Sequence, residues 1–223
     1  MRRMIGSFFV GLAALTTALA HAPYVLTEGE KVTVVFSDAL APDARVKEAS
    51  WKKMDGIKLV ATTANGKTAD VKLTMGEACM KATVPAGTVR VDGHVAYGVF
   101  TKGDKARFIH FYPRALIGAN AAKESKPAVK AVLEVLPTVE AGKVRFTVLQ
   151  NGKAVPKLEL SIITPEEKEG VKATTDDNGM TQAFPAKGRY GVTVRVNEAK
   201  SGEAGGEKYE EIMHVATLVL DLK

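Results

Sequence analysis

Apolar and polar residues alternate over short stretches along most of the chain, and turn residues separate these stretches. Residues 31–37 (KVTVVFS) alternate over the length of one strand, which predicts a half-buried strand. Residues 95–101 and 106–112 predict a hairpin closed by the turn at 102–105. Both faces of the second strand of this hairpin are mostly apolar, so we expect that strand to lie in the interior of a sheet.

The dipeptide Asn65-Gly66 marks a second hairpin. It supplies the two positive-φ positions of a type I′ turn, so it predicts that residues 56–64 and 67–75 pair with each other. Residues 46–54 fit neither the helical nor the strand period clearly, and we expect Trp51 to anchor them in a core.

The run Asp-Asp-Asn-Gly at 176–179 predicts a third hairpin, between residues 171–175 and 180–184. It lacks the alternating ligand spacing of an EF-hand, so a turn is favoured over a calcium loop. Residues 209–222 close the chain as a long strand whose one face carries Ile212, His214, Ala216, Leu218 and Leu220.

The alternation is lost in residues 117–130, where Gly, Ala, Ser, Lys and Pro accumulate as they do in interdomain linkers. About seven short strands separated by turns follow, which is typical of a β-sandwich. We therefore predict an all-β fold with two Ig-like antiparallel β-sandwich domains, at residues 21–116 and 131–223, after a cleaved signal peptide at residues 1–20.

The first 20 residues have the three parts of a secretory signal: Arg2 and Arg3, an apolar run over residues 4–15, and small residues before the cut. The apolar run is shorter than the roughly 20 residues of a spanning helix, and no later stretch approaches that length, so no transmembrane segment is expected after cleavage. The site Ala18-Leu19-Ala20 predicts cleavage after Ala20, because the overlapping alternative would cut immediately before Pro23. The mature protein is expected to be periplasmic or secreted.

Composition narrows the class of protein. The formal charge is +6, and it falls to +4 once Arg2 and Arg3 are removed, with no basic run interleaved with aromatic residues. This argues against nucleic-acid binding. Cys79 is the only cysteine in the sequence, so no internal disulfide can form. Cys79 is interpreted either as a buried small hydrophobic residue or, with Met75 and Met80, as part of a soft metal site. Phosphate-loop, nucleophile-elbow and zinc-protease motifs are absent from the sequence, so we do not expect an enzyme.

Four histidines occur, His21, His94, His110 and His214, and each taken alone is compatible with a hydrogen-bonded structural role. Cleavage after Ala20 changes this for His21, because its free amine and Nδ1 can close a chelate ring on a metal. One imidazole from elsewhere would complete a T-shaped site of three nitrogens, which suits Cu(II) or Ni(II). The alternative is that a histidine follows the signal peptide by accident.

Residues 97–116 (YGVFTKGDKARFIHFYPRAL) and a closing region (TDDNGMTQAFPAKGRYGVTVRV and KYEEIMHVATLVL) carry a resemblance. Together with a signal cut before histidine, they resemble an exported bacterial family of unknown function related to the substrate-specific component of nickel uptake systems. The last third is also similar to carboxypeptidase-regulatory and collagen-adhesin B-type modules, through the turn at 175–179 and the Gly188-Arg189-Tyr190 strand. The resemblance implies an exported all-β protein that handles a transition metal.

From the resemblance we expect a non-enzymatic protein that captures nickel, or alternatively copper or cobalt, and passes it to a membrane metal-uptake complex. The expected ligands are His21, with His110 and His214 as its leading partners and His94 in reserve. The competing hypothesis is a cell-envelope structural or adhesion module that binds no metal.

Overall fold

The computed structural model describes residues 21–118, 131–167 and 170–222. The predicted signal peptide, 1–20, and nearly all of the predicted linker, 117–130, lie outside these residues. The amino-terminal half comprises β1 Ala22–Glu28, β2 Lys31–Ser37, α1 Glu48–Met54, β3 Lys58–Thr63, β4 Thr68–Val71, β5 Thr74–Met75, β6 Met80–Thr83, β7 Thr88–Lys102 and β8 Lys105–Leu116. The carboxy-terminal half comprises β9 Leu133–Glu140, β10 Lys143–Gln150, β11 Lys153–Ala154, β12 Glu159–Ile163, β13 Val171–Thr174, β14 Phe184–Pro185, β15 Gly188–Glu198, β16 Gly202–Ala204, β17 Glu207–Tyr209 and β18 Glu211–Leu222.

The strands form three stacked sheets and one small hairpin. An eight-stranded central sheet has the order β13-β12-β15-β18-β8-β7-β3-β4. We call β1-β2-β6-β5 the amino-terminal sheet, and β11-β10-β14 with β9 on β10 the carboxy-terminal sheet. Strands β16 and β17 pair only with each other among the described strands. The all-β fold predicted from the sequence is confirmed.

Two hydrophobic cores lie on opposite faces of the central sheet, because successive side chains of a strand point to opposite faces. In β8, Ile109, Phe111 and Ala115 belong to the core beneath the amino-terminal sheet, whereas Tyr112 and Leu116 belong to the other core. Strand β18 divides its side chains in the same way, with Met213, Val215 and Val219 in the first core and Ala216, Leu218 and Leu220 in the second. The central position predicted for residues 106–112 is confirmed.

Strands β8 and β18 run parallel, and His110 lies opposite His214 in their register. Every other strand pair within the described residues is antiparallel. Both strands are apolar on both faces, so each is stabilised by neighbours on its two edges and by a core on each side. The central sheet therefore runs through both predicted domains, and the domain boundary near 117–130 stays a prediction.

Two local features differ from the sequence predictions. Residues 48–54 form the helix α1, which buries Trp51 and Met54 against the amino-terminal core; Trp51 is the anchor expected from the sequence. The hairpin expected between residues 171–175 and 180–184 is wrong. Strand β13 pairs with β12 instead, and Met180 bridges to Thr147 of the carboxy-terminal sheet.

The run at 176–179 is still a turn, but it links two sheets. Asp176 Oδ1 accepts the backbone N–H groups of Asn178 and Met180 at 2.9 and 3.0 Å. These hydrogen bonds stabilise a turn that leads from the central sheet to the carboxy-terminal sheet. The residues before and after the turn therefore belong to different sheets and do not pair with each other. The hairpin at Asn65-Gly66 is confirmed as β3–β4. No helix within the described residues has the length and hydropathy needed to cross a membrane.

Candidate metal centres

His21 lies at the start of β1 and faces the loop that follows β2. The pairing of β1 with β2 places Ala22 opposite Ser37, so the loop that begins at Asp38 runs past the His21 side chain. Its Nε2 lies 2.8 Å from Oδ2 of Asp43, and its ring lies 6.0 Å from the ring of Phe36. The His21 side chain is 28% exposed, so one edge of the imidazole is open to solvent.

Asp43 is held as a carboxylate by Arg45. Arg45 Nη2 donates to Oδ2 at 2.7 Å, and Nε and the backbone N–H of Arg45 donate to Oδ1 at 2.9 Å each. The Arg45 side chain, then its backbone N–H, and then His21 hold the pKa of Asp43 well below its usual range. A carboxylate can only accept hydrogen bonds, so His21 Nε2 is the nitrogen that donates.

The Asp43 contact therefore sets the tautomer of His21. With the proton on Nε2, Nδ1 of a neutral ring carries a free lone pair. In the parts of the chain that the structure describes, no hydrogen bond involves Nδ1 of His21. A carboxylate that accepts the outer N–H of an imidazole is the usual support of a metal-binding histidine, because it fixes the ring and raises its basicity.

Asp38 provides a further carboxylate beside this pair. One ligand atom each from His21, Asp38 and Asp43 lies within 4.8 Å of the others. Asp38 is half exposed, and its Oδ1 is 3.9 Å from Arg45 Nη2, which is a weaker contact than the one that Asp43 makes. Asp38 is thus the carboxylate that is freer to reach an ion. We call His21, Asp38 and Asp43 the amino-terminal site.

An open depression of about 340 Å³ lies at the amino-terminal site. His21, Phe36 and Arg45 line one part, and Tyr97 and Phe100 of β7 line another. Phe36 stacks on Tyr97 at 5.5 Å, so the aromatic floor is continuous with the core beneath the amino-terminal sheet. His21 therefore lines a depression whose aromatic floor belongs to the core beneath the amino-terminal sheet.

The other three histidines come together on the opposite face of the central sheet. They lie on the neighbouring strands β7, β8 and β18. His94 Nε2 is 3.1 Å from His110 Nδ1, and the two rings are nearly parallel at 5.4 Å. The rings of His110 and His214 are 5.8 Å apart. We call His94, His110 and His214 the histidine cluster.

Two polar neighbours hold His214. Tyr112 Oη lies 3.2 Å from His214 Nδ1, and Glu198 Oε2 lies 3.1 Å from His214 Nε2. Burial, and then the charge of Glu198, raises the pKa of Tyr112 to about 12. Tyr112 therefore keeps its proton and donates to Nδ1, while His214 donates from Nε2 to the carboxylate. Both nitrogens of His214 are engaged in this chain of hydrogen bonds.

Burial favours the neutral forms of two histidines of the cluster, His110 and His94. Burial first, and then the charges of His94 and His214, lowers the pKa of His110 from 6.5 to about 4. Burial, followed by Lys58 and His214, also lowers the pKa of His94. At neutral pH the His110 ring is therefore uncharged. A metal that binds it does not have to displace a proton from an imidazolium.

The structure separates His21 from the three histidines among which its one partner was expected. His21 packs beside Phe36, which contacts Phe111 at 5.7 Å on one face of β8. His110 precedes Phe111 in the strand and points to the other face. Within the described residues, the carboxylates of Asp38 and Asp43 lie beside His21 and the other three histidines do not.

Four residues of these sites were missed by the sequence reasoning, namely Asp38, Asp43, Tyr112 and Glu198. The two aspartates follow β2, and the register of a β1–β2 hairpin would have placed them beside His21. Alternation does not mark β1 as a strand, because most of its residues (APYVLTE) are apolar and buried. The position of Glu198 depends on the pairing of β15 with β18, which has no local signal in the sequence.

Cys79 is buried in the core beneath the amino-terminal sheet, with 3% of its surface exposed. Met80 is buried nearby in the same core, whereas Met75 is 49% exposed. This placement agrees with the small-hydrophobe interpretation of Cys79.

No protein-family model matches the chain, and no curated protein matches it. Among solved structures, a two-domain fibronectin type-III segment of chicken tenascin is 12% identical, with a TM-score of 0.21 over 87% of this chain and 96% of that one. A pullulanase from Anoxybacillus sp. LM18-11, complexed with maltotriose, is 14% identical, with a TM-score of 0.20 over 85% of this chain and 27% of that one. This similarity to β-sandwich proteins is distant and carries no argument about function, and the resemblance to the exported metal-handling family remains a hypothesis.

Proposed function

We propose that this protein is an exported, non-enzymatic metal-binding protein that captures Ni(II), or alternatively Cu(II) or Co(II), for a membrane uptake complex. The amino-terminal site forms when the signal peptide is removed after Ala20. The observation that carries the proposal is the hydrogen bond between His21 Nε2 and Asp43, because it leaves Nδ1 as the free nitrogen. The resemblance to the exported family related to nickel uptake is consistent with it.

Nδ1 is the nitrogen that an amino-terminal chelate requires. The α-amine and Nδ1 of one histidine close a six-membered ring on a metal, whereas Nε2 points away from its own amine. Imidazole and amine nitrogens with a carboxylate suit divalent nickel or copper. Asp38 is the carboxylate ligand in this proposal, since one of its oxygens lies within 4.8 Å of a ring nitrogen of His21, and Asp43 orients the ring through Nε2.

The proposed donor set differs from the three-nitrogen site expected from the sequence. His21 contributes two nitrogens, and Asp38 replaces the distant imidazole with a harder oxygen. Two nitrogen ligands favour copper less strongly than three would. The coordination positions that the protein leaves open allow the metal to exchange with a partner. A site of this kind fits a protein that releases its cargo better than one that retains a cofactor.

The experiment compares the mature protein, which begins at His21, with a version that carries one additional glycine before His21. Both proteins carry His110→Gln, so that the histidine cluster contributes little to the signal. Calorimetric titration with Ni(II) should show binding to the mature protein that is weaker by at least about tenfold in the extended one, because the chelate loses its primary amine.

Two substitutions sharpen this comparison. Asp38→Asn should weaken Ni(II) binding to the mature protein by several-fold, and Asp70→Asn, which alters an exposed carboxylate on β4, should leave it unchanged. Equal affinities of the mature and extended proteins would rule out the amino-terminal site.

A further inference from the structure

We propose that His94 and His110 form a second transition-metal site, on the opposite face of the central sheet from His21. This inference does not depend on signal cleavage or on the amino-terminal site. It rests on the spacing of two imidazole nitrogens, on the rigid support of their rings, and on the engagement of His214 by its neighbours.

The distance between the two nitrogens fits one shared ion. His94 Nε2 and His110 Nδ1 are 3.1 Å apart. An ion about 2.0–2.1 Å from each nitrogen, the usual zinc–histidine distance, would have an N–metal–N angle of about 100°. That angle lies between the values of tetrahedral and square-planar coordination. The same spacing allows an N–H···N hydrogen bond, in which one ring donates and the other accepts.

Binding an ion here requires a change of tautomer in one ring. The ring that donates moves its proton to the nitrogen that faces away from its partner, and the accepting ring already presents a lone pair, so that both facing nitrogens can bind the ion. Neutral imidazoles are the form that binds metal. Lys58 is the positive charge that acts on His94, and it opposes a cation at this place.

Aromatic contacts fix the orientation of both rings. His94 stacks on Tyr112 at 5.1 Å, and Phe108 meets His110 edge-on at 4.5 Å. Strands β7 and β8 are paired at this point, with Ala96 opposite His110. Ligands that are held by packing and by paired strands lose little conformational freedom on binding, which favours a preorganised site.

His214 is not a ligand in this proposal, because Tyr112 and Glu198 occupy both of its ring nitrogens. Its Nδ1 accepts from Tyr112 and its Nε2 donates to Glu198, so neither nitrogen is free to bind an ion in this arrangement. His214 is a positioning residue, which holds Tyr112 against the ring of His94. The pair His94 and His110 then leaves the remaining coordination positions to water, as expected for an ion that exchanges readily.

The test uses Cu(II) and the protein with one glycine added before His21, which removes the amino-terminal chelate. Titration followed by electron paramagnetic resonance should show a copper signal with hyperfine splitting from two imidazole nitrogens. His94→Gln and His110→Gln should each weaken Cu(II) binding by at least about tenfold and remove one of the two nitrogen couplings. Near-ultraviolet circular dichroism checks that each variant is folded.

His214→Gln is the matched control, since it alters a histidine of the same cluster that is not a proposed ligand. It should weaken Cu(II) binding less than either of the other substitutions and should keep both nitrogen couplings. Unchanged Cu(II) affinity in folded His94→Gln and His110→Gln proteins would show a structural hydrogen-bonded pair only and would overturn the proposal. The added glycine keeps this result independent of the amino-terminal site, so either proposal can fail alone.

Discussion

Asp43 accepts hydrogen bonds from an imidazole and a guanidinium at the same time, and this combination sets the chemistry of His21. Arg45 keeps the carboxylate ionised, and the ionised carboxylate fixes the proton on Nε2. The nitrogen that a terminal chelate needs is left free as a consequence. At the scale of single residues, the proposed metal chemistry thus depends on a side chain that need not touch the ion.

Replacing Asp43 tests this dependence. Asp43→Ala removes the acceptor for Nε2–H, so the His21 ring loses its fixed orientation. We expect Ni(II) affinity of the mature protein to fall by about 10–100-fold, the usual effect of losing such a support. Competition with a coloured chelator measures the affinity.

Asp43→Asn separates orientation from charge. Its amide oxygen still accepts the hydrogen bond from Nε2, so it should retain more affinity than Asp43→Ala. Full retention of Ni(II) affinity in the alanine variant would show that Asp43 does not support the metal ligand.

At the scale of elements, β7 has a strict steric requirement at Gly93. Gly93 lies between β3 and β8, and a Cβ atom there would approach Leu59 Cδ2 to 2.5 Å and Pro113 Cγ to 2.8 Å. Glycine at this position therefore lets three strands of the central sheet pack closely next to His94. Gly93 thus brings β7 close to β8, and these two strands carry His94 and His110.

Gly93→Ala should destabilise the protein, because the added methyl group must displace Leu59 or the backbone of β8. Overpacking of this kind costs about 1–3 kcal/mol in the free energy of unfolding. Urea denaturation measures the change. Gly56→Ala, at a position where a Cβ would meet nothing within 4 Å, is the control and should change stability by less than about 0.5 kcal/mol. Equal stability of the Gly93→Ala and wild-type proteins would contradict the steric account.

Elements with local signals could be predicted from the sequence. The turn at Asn65-Gly66 and the alternation of residues 106–112 carry their own evidence, and both are confirmed. The helix at 48–54 has only two buried residues, Trp51 and Met54, which is too little for a helical period to emerge. The failed hairpin at 171–184 shows that a turn signal does not reveal which sheet the chain enters next.

At the scale of the whole molecule, the parallel pairing of β8 with β18 decides where the histidines go. The alternation of side chains along each strand predicts that His110 shares a face with Tyr112 and that His214 shares a face with Ala216. It could not show that the two strands are neighbours, since 104 positions separate His110 from His214 along the chain. The histidine cluster is therefore a product of long-range pairing, whereas the His21 contact with Asp43 follows from one hairpin.

The same pairing predicts that the two halves do not fold independently. Residues 21–118 alone would leave β8 as an edge strand and would expose Tyr112 and Leu116, which the second core covers. We expect this fragment to aggregate or to lack a cooperative unfolding transition, and the mature protein to unfold in one transition. A fragment that is monomeric and unfolds cooperatively would instead support two independent domains divided near 117–130.

The most direct measurement of the central claim is a count of bound Ni(II) ions by native mass spectrometry. The mature protein, which begins at His21, is compared with the protein that carries one additional glycine. Both are measured at the same small molar excess of Ni(II). The account predicts one more tightly bound ion per chain in the mature protein, since only that protein has the amine and Nδ1 of His21 together. The same number of bound ions in both proteins would contradict it.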